Sequence, residues 1–341
     1  MLEPFPSSDL EALKALVDQN SFFVILCHTN PDGDAIGSSC GLAEYLRAKG
    51  KSATVIVPDA YPDFLNWVPG VQESVRADKY PEKAALMLKT ADVIFVLDLN
   101  EPKRTESMEQ LLVEARQPKV LVDHHLNPAD FCTLTFSRPQ ASSASELVYR
   151  LIDGMGDAAV VNKSCATCLY TGIMTDTGAF AFSSSDPELF VIVSHLLERG
   201  IDKDRIYNRV FHCYSRDRLQ FFGYMLYQNM RVYPDKRAAL LTLTKKEMER
   251  FNLLRGETDG LVNQPLQIRN VDFVCFLRED TERPHINVSL RSEGSFPCNK
   301  FAARYFNGGG HLNASGGRYF GSLDDAVKIF EEALNNFDPN A

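Results

Sequence analysis

Short apolar runs alternate with segments of helical periodicity along the first half of the chain. The apolar runs are FFVILCH (22–28), SATVIVP (52–58), ADVIFVLDL (91–99), KVLVDHH (119–125) and FCTLTF (131–136). Continuous apolar runs of this length are typical of strands that are buried on both faces, as in a parallel sheet. Helical periodicity fills most of the intervals, at 8–19, from the loop TNPDGD to Lys49, and at 81–90, 105–116, 143–153 and 162–175. This alternation predicts an α/β fold with a doubly wound, mainly parallel sheet.

The pattern changes after Phe182. Residues 187–229 predict consecutive helices, and from about residue 231 strands and helices resume with the runs RAALLTLT, VDFVCFLRED and HINVSLRSE. The chain is long enough for two domains of ordinary size. We therefore predict a first domain at 1–212, a linker helix at 213–230 and a smaller α/β domain at 231–341.

Four of the apolar or helical segments end in carboxylates and imidazoles. The polar residues at these ends are His28, Asp32 and Asp34, then Asp98, then Asp123, His124 and His125, and finally Asp176. The carboxyl ends of parallel strands meet at one edge of a sheet, where α/β proteins bind their ligands. A single Asp at a strand end is most often a turn or N-cap residue. Four such coincidences, which gather mutually repelling carboxylates, predict instead a metal site.

The ligand types indicate which metals the site would bind. Carboxylate oxygens and imidazole nitrogens without thiolates suit hard or borderline divalent cations. Two such cations about 3.5–4 Å apart are the usual arrangement for the hydrolysis of phosphate esters. We expect two divalent cations, with Mn²⁺ as the first choice and Mg²⁺ or Co²⁺ as alternatives.

Composition narrows the class of protein further. Hydrophobic residues make up 45% and charged residues 24% of the 341 residues, as in ordinary globular proteins. The net charge of −9 disfavours a duplex-DNA binder but not a small phosphorylated substrate in a local basic pocket. The N-terminal segment does not resemble a signal peptide, and no apolar run approaches the roughly 20 residues that span a bilayer. We therefore expect no membrane segment and a cytoplasmic location.

The same segments resemble the motifs of a known family. HTNPDGDAIGSS, LDLN, VDHH and TGIMTDTGAF are similar to the four motifs of the DHH phosphoesterases, named after their Asp-His-His signature. GGGHLNASG resembles the GGGH motif of the DHH-associated C-terminal domain. The resemblance covers roughly residues 15–335 and is greatest to bifunctional oligoribonucleases and 3′-phosphoadenosine-5′-phosphate phosphatases. It implies a two-metal phosphodiesterase that cleaves short RNAs or linear dinucleotides to mononucleotides and also dephosphorylates this nucleoside bisphosphate.

The resemblance also implies residue roles. One cation would be bound by His28, Asp32 and Asp98, and the other by Asp34, Asp98, His124 and Asp176, with Asp98 bridging them. Asp123 would orient the neighbouring imidazole, and His125 would face the substrate phosphate, either stabilising charge or protonating the leaving oxygen. The predicted substrate-binding residues of the second domain are Gly309, Gly310, His311, Ser315, Arg278 and Arg291. For the two arginines a solvated position at the sheet edge is an equal alternative.

Two other functions stay open at this stage. A cyclic-di-AMP phosphodiesterase would share the same metal ligands. A non-catalytic nucleotide-binding sensor would keep the fold but lack at least one of the metal-binding residues. In this sequence, no metal-binding position departs from the family pattern. The resemblance is also compatible with a homodimer.

Overall fold

The computed structural model describes residues 5–253 and 256–338, and it divides into two compact units. The units are Met1–Cys213 and Tyr214–Ala341. The segment predicted as a linker, 213–230, contains a helix at Arg216–Gln228, which is counted with the second unit. Our domain boundaries at 212 and 230 remain predictions, and their outer ends, 1–4 and 339–341, lie outside the described residues.

The first unit is built on a six-stranded parallel sheet. Its strands are β1 (Phe22–Leu26), β2 (Ser52–Val57), β3 (Val75–Arg76), β4 (Val93–Leu97), β5 (Lys119–Asp123) and β6 (Leu134–Ser137). Their order is β3-β2-β1-β4-β5-β6, and every neighbouring pair is parallel. The predicted doubly wound parallel sheet is confirmed. Successive strands are added to one side of β1 as far as β3 and then to its other side from β4 onwards. In parallel sheets, a crevice opens at such a switch point, at the carboxyl ends of the strands.

Helices cover both faces of this sheet. They are α1 (Ser7–Gln19), α2 (Gly33–Ala48), α3 (Pro81–Thr90), α4 (Glu109–Glu114), α5 (Ala144–Gly154), α6 (Lys163–Asp176), α7 (Pro187–Glu198) and α8 (Lys203–Phe211). Alternate residues of one strand enter different cores, since Phe23 packs with α2 and α6 and Val24 packs with α3 and α4. The segment predicted as one helix at 105–116 is divided into a 3₁₀ segment, Pro102–Met108, and α4. Glu106, with a φ of 44°, interrupts the helical backbone there.

Helices α2 and α6 approach one another to backbone contact. Gly33, Gly37 and Gly41 recur at every fourth position of α2 and face α6. A Cβ atom on Gly37 would lie 2.7 Å from the carbonyl oxygen of Cys168 and from the amide nitrogen of Gly172. Gly33 lies beside Thr175 near the end of α6, so the two helices run antiparallel. The start of α2 is thereby brought to the end of α6.

The second unit is a smaller α/β domain, as predicted, and its sheet is mixed. Its elements are α9 (Arg216–Gln228), β7 (Met230–Tyr233), β8 (Ala238–Leu243), α10 (Lys245–Arg250), β9 (Phe273–Glu279), β10 (Ile286–Ser292), α11 (Cys298–Tyr305), β11 (Gly309–Gly310), β12 (Ala314–Tyr319) and α12 (Leu323–Asn336). The strand order is β11-β12-β10-β9-β8-β7, with only β8 and β9 parallel. Across the described residues of both units, no helix is long and apolar enough to cross a membrane.

Candidate metal centre

Three strand ends of the first unit deliver buried polar residues to the crevice. His28 follows β1, Asp98 follows β4, and His124 follows β5. All three are less than 8% exposed. Polar groups buried to this degree need partners, because burial removes their hydration.

Asp98 presents one carboxylate oxygen to each of two histidines. Its Oδ2 lies 3.3 Å from His28 Nε2, and its Oδ1 lies 3.4 Å from His124 Nε2. Asp32 completes the group around His28, with its Oδ1 at 3.9 Å from the same Nε2. Asp32 is also the N-cap of α2, where it accepts the N–H groups of Asp34 and Ala35.

The group around His124 contains two more carboxylates. Asp176 Oδ2 lies 3.4 Å and Asp34 Oδ2 lies 4.0 Å from His124 Nε2. The glycine contact between α2 and α6 places these carboxylates together, because Asp34 begins one helix and Asp176 ends the other. Asp34 is also held by the N-terminus of α5, where it accepts the N–H groups of Ala144 at 2.6 Å and Ser145 at 2.9 Å.

Both histidines direct Nε2 towards these carboxylates. His28 Nδ1 lies 2.9 Å from the carbonyl oxygen of Thr29, and His124 Nδ1 lies 3.4 Å from that of Ala141. A carbonyl oxygen can only accept, so Nδ1 of each ring carries a proton. In the neutral ring the lone pair of Nε2 can bind a metal ion, and in the protonated ring Nε2 carries a proton and donates to the carboxylates. Histidines that bind metal ions are usually oriented by such a contact on the other nitrogen.

The excess of negative charge in this cluster perturbs its titratable groups. Burial, together with the charges of Asp98 and Asp176, raises the pKa of Asp34 well above its ordinary value. Burial lowers the pKa of His124, but the carboxylates outweigh it, with Asp98 first, and raise this pKa well above its ordinary value. Burial also raises the pKa of Asp98, yet hydrogen bonds with His124 and His28 hold it well below its usual range. The cluster therefore attracts positive charge.

The separations of these atoms fit divalent cations. Ligand atoms lie about 2.1 Å from an ion such as Mg²⁺, so two of them stand roughly 3.0–4.2 Å apart. The distances above, from 3.3 to 4.0 Å, fall within this range. Two of the groups of donor atoms that are compact enough to surround one ion consist entirely of predicted ligands: His28, Asp32 and Asp98, and Asp34, His124 and Asp176.

His125 is fixed by contacts on both ring nitrogens. Its Nδ1 lies 2.7 Å from Asp123 Oδ1, and its backbone N–H donates to Asp123 Oδ2. The Nη1 of Arg104 lies 2.8 Å from His125 Nε2. Sequence reasoning missed Arg104, because a basic residue in the segment EPKRTE looks like any solvated charge. Its only signal is a position six residues beyond Asp98.

In the second unit, the turn that contains His311 connects β11 to β12. Gly310 pairs with Ser315, whose hydroxyl donates to the carbonyl oxygen of His311 at 2.8 Å. Backbone packing explains the glycines at 308 and 310, since a Cβ there would lie 1.9 Å from Gly316 O and 2.7 Å from Ala314 O, respectively. A Cβ on Gly309 would meet no atom within 4 Å, so packing does not explain this glycine.

The two candidate arginines of this unit lie at different ends of its sheet. Arg291 is opposite Ala314 and therefore adjoins the His311 turn. Arg278 is opposite Asn287, four residue pairs further along the strands, and its Nη1 donates to Thr258 Oγ1 at 3.2 Å. Within this unit the structure brings Arg291 together with the glycine turn and leaves Arg278 apart.

Comparisons with known proteins agree with this architecture. The model of the DHH family N-terminal domain matches residues 22–173, and that of the DHHA1 domain matches residues 239–336. The bifunctional oligoribonuclease and PAP phosphatase NrnA of Bacillus subtilis is 27% identical over 307 residues, which cover 89% of this chain and 91% of that protein. An exopolyphosphatase-related protein from Bacteroides fragilis, known from a crystal structure, is 47% identical in sequence, and the two structures superpose with a TM-score of 0.95. The alignment covers 100% of this chain and 99% of that protein's chain. RecJ of Thermus thermophilus, solved in complex with Mn²⁺, shares the fold, with a TM-score of 0.56 at 12% sequence identity. The alignment covers 99% of this chain and 56% of the RecJ chain.

Proposed function

We propose that this chain, which belongs to the DHH family, is a metal-dependent phosphoesterase that hydrolyses short oligoribonucleotides or linear dinucleotides to mononucleotides. We further propose that it removes phosphate from 3′-phosphoadenosine-5′-phosphate, the substrate class in the name of the Bacillus subtilis relative. The observation that carries the proposal is the Asp98 carboxylate, whose two oxygens face two separate histidine–carboxylate groups. A carboxylate in this position suits the bridge between two cations.

The ligand assignment follows from the two groups of donor atoms. One cation would be held by His28, Asp32 and Asp98, and the other by Asp34, Asp98, His124 and Asp176. When bound, such cations lower the pKa of a water molecule and neutralise the charge of phosphoryl oxygens. Mn²⁺ is our first choice, on the donor chemistry and on the manganese complex of the RecJ fold relative.

The remaining residues of the centre orient groups around the substrate. Asp123 accepts both from the ring and from the backbone of His125, which restricts the imidazole to one orientation. His125 would contact the substrate phosphate, where it stabilises charge or supplies a proton to the leaving ribose oxygen. Asp34 is held by the amides of α5, so its position does not depend on a bound ion alone.

The second unit would bind the rest of the nucleotide. Gly309 leaves the backbone of the turn open to a ligand, and His311 and Ser315 lie at the same turn. Glycine-rich turns allow an anion to approach backbone N–H groups. Arg291, beside this turn, is a better candidate for a phosphate contact than Arg278. A cytoplasmic location, a homodimer and the absence of a duplex-DNA partner remain our predictions.

A substrate panel tests the proposal. The full-length protein with Mn²⁺ would be incubated with RNAs of graded length, linear and cyclic diadenylate, pyrophosphate and 3′-phosphoadenosine-5′-phosphate. We expect the highest kcat/KM on the shortest RNAs and no activity after Asp98→Ala, with activity unchanged after Asp130→Ala at an exposed position of the same unit. Equal rates on long RNAs would reject the specificity for short substrates. Nucleotide binding without turnover in Mn²⁺, Mg²⁺ or Co²⁺ would favour the sensor.

A further inference from the structure

Arg104 connects three of the strand-end loops that form the metal centre. Its Nη1 donates to His125 Nε2 at 2.8 Å and to the carbonyl oxygen of Asp98 at 3.3 Å. Its own carbonyl oxygen accepts the N–H of Thr29 at 2.8 Å, next to His28. The guanidinium therefore lies within the centre rather than in bulk solvent, although nothing in the sequence motifs marks it.

The contacts of Arg104 leave most of its hydrogen-bonding capacity unused. A guanidinium has five N–H donors, and both side-chain bonds of Arg104 come from Nη1. Among the described residues its Nε and Nη2 donate to no group, and no carboxylate forms an ion pair with it. In a centre with five aspartates, an arginine paired with none of them is unusual for a purely structural role, since ion pairing is what normally stabilises such a charge.

The geometry points to Arg104 as a residue that binds the scissile phosphoryl group, an inference that rests on the proposed function. Nη1 holds the imidazole of His125, while Nε and Nη2 are available to a non-bridging oxygen of the phosphate beside it. The planar guanidinium forms directed hydrogen bonds with phosphate oxygens and keeps its charge at every working pH. Arg104 thus supplies fixed positive charge where the transition state gains negative charge.

Arginine suits these two tasks better than lysine. A lysine ammonium is a point charge on a flexible stem and cannot contact an imidazole and a phosphate in the fixed directions of a planar group. Arg104→Lys should therefore keep part of the phosphate attraction but lose the directed contact with His125 Nε2. We expect kcat to fall further than KM rises in this variant.

The test compares Arg104→Ala and Arg104→Lys with Lys103→Ala. Lys103 is an exposed neighbour in the same 3₁₀ segment, so its removal changes the net charge equally without altering the centre. We expect Arg104→Ala to lower kcat on a short RNA by about 10²–10³-fold, the range for one donor to a developing anion. Lys103→Ala should stay within twofold of wild type. The Mn²⁺ affinity and the urea midpoint of both alanine variants should match wild type.

A second measurement does not depend on turnover. Titration calorimetry with inorganic phosphate and Mg²⁺-loaded full-length protein should show at least tenfold weaker binding in Arg104→Ala than in Lys103→Ala. Equal phosphate affinity in these two variants, or an Arg104→Ala enzyme with wild-type kcat, would overturn the inference. If wild type hydrolyses no phosphoester but its phosphate binding depends on Arg104, only the proposed function fails. If wild type neither binds phosphate nor turns over substrate, both fail.

Discussion

The contact between α2 and α6 can be tested with Gly37→Ala. The new Cβ would lie 2.7 Å from two backbone atoms of α6, whereas ordinary contacts are 3.4–4 Å. Backbone atoms cannot rotate away as a side chain can, so the helices must separate by roughly 0.7 Å or more, a strain typical of overpacked cores. Overpacking costs about 1–3 kcal/mol, and the higher helix propensity of Ala returns about 1 kcal/mol. We expect a net loss of up to about 2 kcal/mol in the free energy of unfolding.

The protein contains its own reporter for this measurement. Trp67 is the single tryptophan of the chain, and it packs against the core of the first unit. Urea unfolding followed by tryptophan fluorescence therefore reports on the unit that contains Gly37. The midpoint should fall in Gly37→Ala, and the stabilisation by saturating Mn²⁺ should shrink, because Asp34 and Asp176 are carried on the two separated helices.

Gly223→Ala is the matched control. Gly223 is inside α9, and a Cβ there would meet no atom within 4 Å. This substitution should stabilise the second unit by about 0.5–1 kcal/mol, since Gly is unfavourable within helices. The effect should appear in far-UV circular dichroism, with the Trp67 transition unchanged. A Gly37→Ala protein with a raised midpoint and full Mn²⁺ stabilisation would refute the close contact of α2 and α6.

Three further predictions concern the metals, the glycine turn and a partly buried ion pair. Mn²⁺ at about 100 times its Kd should stabilise the wild type by roughly 2.7 kcal/mol in thermal unfolding. Asp176→Asn should remove most of this stabilisation, and the control Asp130→Asn should keep it. Equal stabilisation of the two variants would contradict the ligand assignment. Gly309→Ala should raise KM for short RNA without changing the urea midpoint. Gly308→Ala should lower the urea midpoint, because its Cβ would lie 1.9 Å from Gly316 O. Equal midpoints of the two variants would contradict this distinction. Burial raises the pKa of Asp157, but hydrogen bonds with the Lys49 ammonium and a tyrosine hydroxyl hold it below its ordinary 3.8. The charge of Asp157 therefore stabilises the fold above about pH 4, and this stabilisation is lost as the pH falls through the lower folded-state pKa. Asp157→Asn should lower the free energy of unfolding by about 1 kcal/mol at pH 7. Denaturation curves of the variant and the wild type should differ less below pH 4. A difference that stays constant with pH would argue against the ion pair.

The sequence was sufficient for the parts of the fold with a strong repeating pattern. The apolar runs that became β1, β2, β4 and β5 were correctly predicted, because a strand buried on both faces leaves an uninterrupted apolar signal. The run FCTLTF also became a strand, β6, although Phe136 is the one buried residue of its four. The two-residue strands β3 and β11 and the glycine-containing β12 carry no such signal. The break at Glu106 was also missed, since helical periodicity continues across it.

The candidate centre divides in the same way. The strand ends that carry His28, Asp98 and His124 could be expected to meet, because parallel strands end at one edge. The role of α5 in holding Asp34 could not be predicted, since it depends on two backbone amides 110 and 111 residues away. The role of Arg104 could not be predicted for a similar reason, because its contacts with His125 and Asp98 depend on the folded structure and not on sequence spacing.

The backbone at Asp98 limits what can replace it. Its φ of 58° lies in the left-handed region, which Gly, Asn and Asp adopt far more readily than other residues. Of these three, only Asp carries an anionic group. Glutamate would supply the charge but would add backbone strain at a position that is 2% exposed. A substitution here therefore sacrifices either the charge or the backbone conformation, and Asn or Gly would preserve the turn while removing the anionic oxygens that face the two histidines.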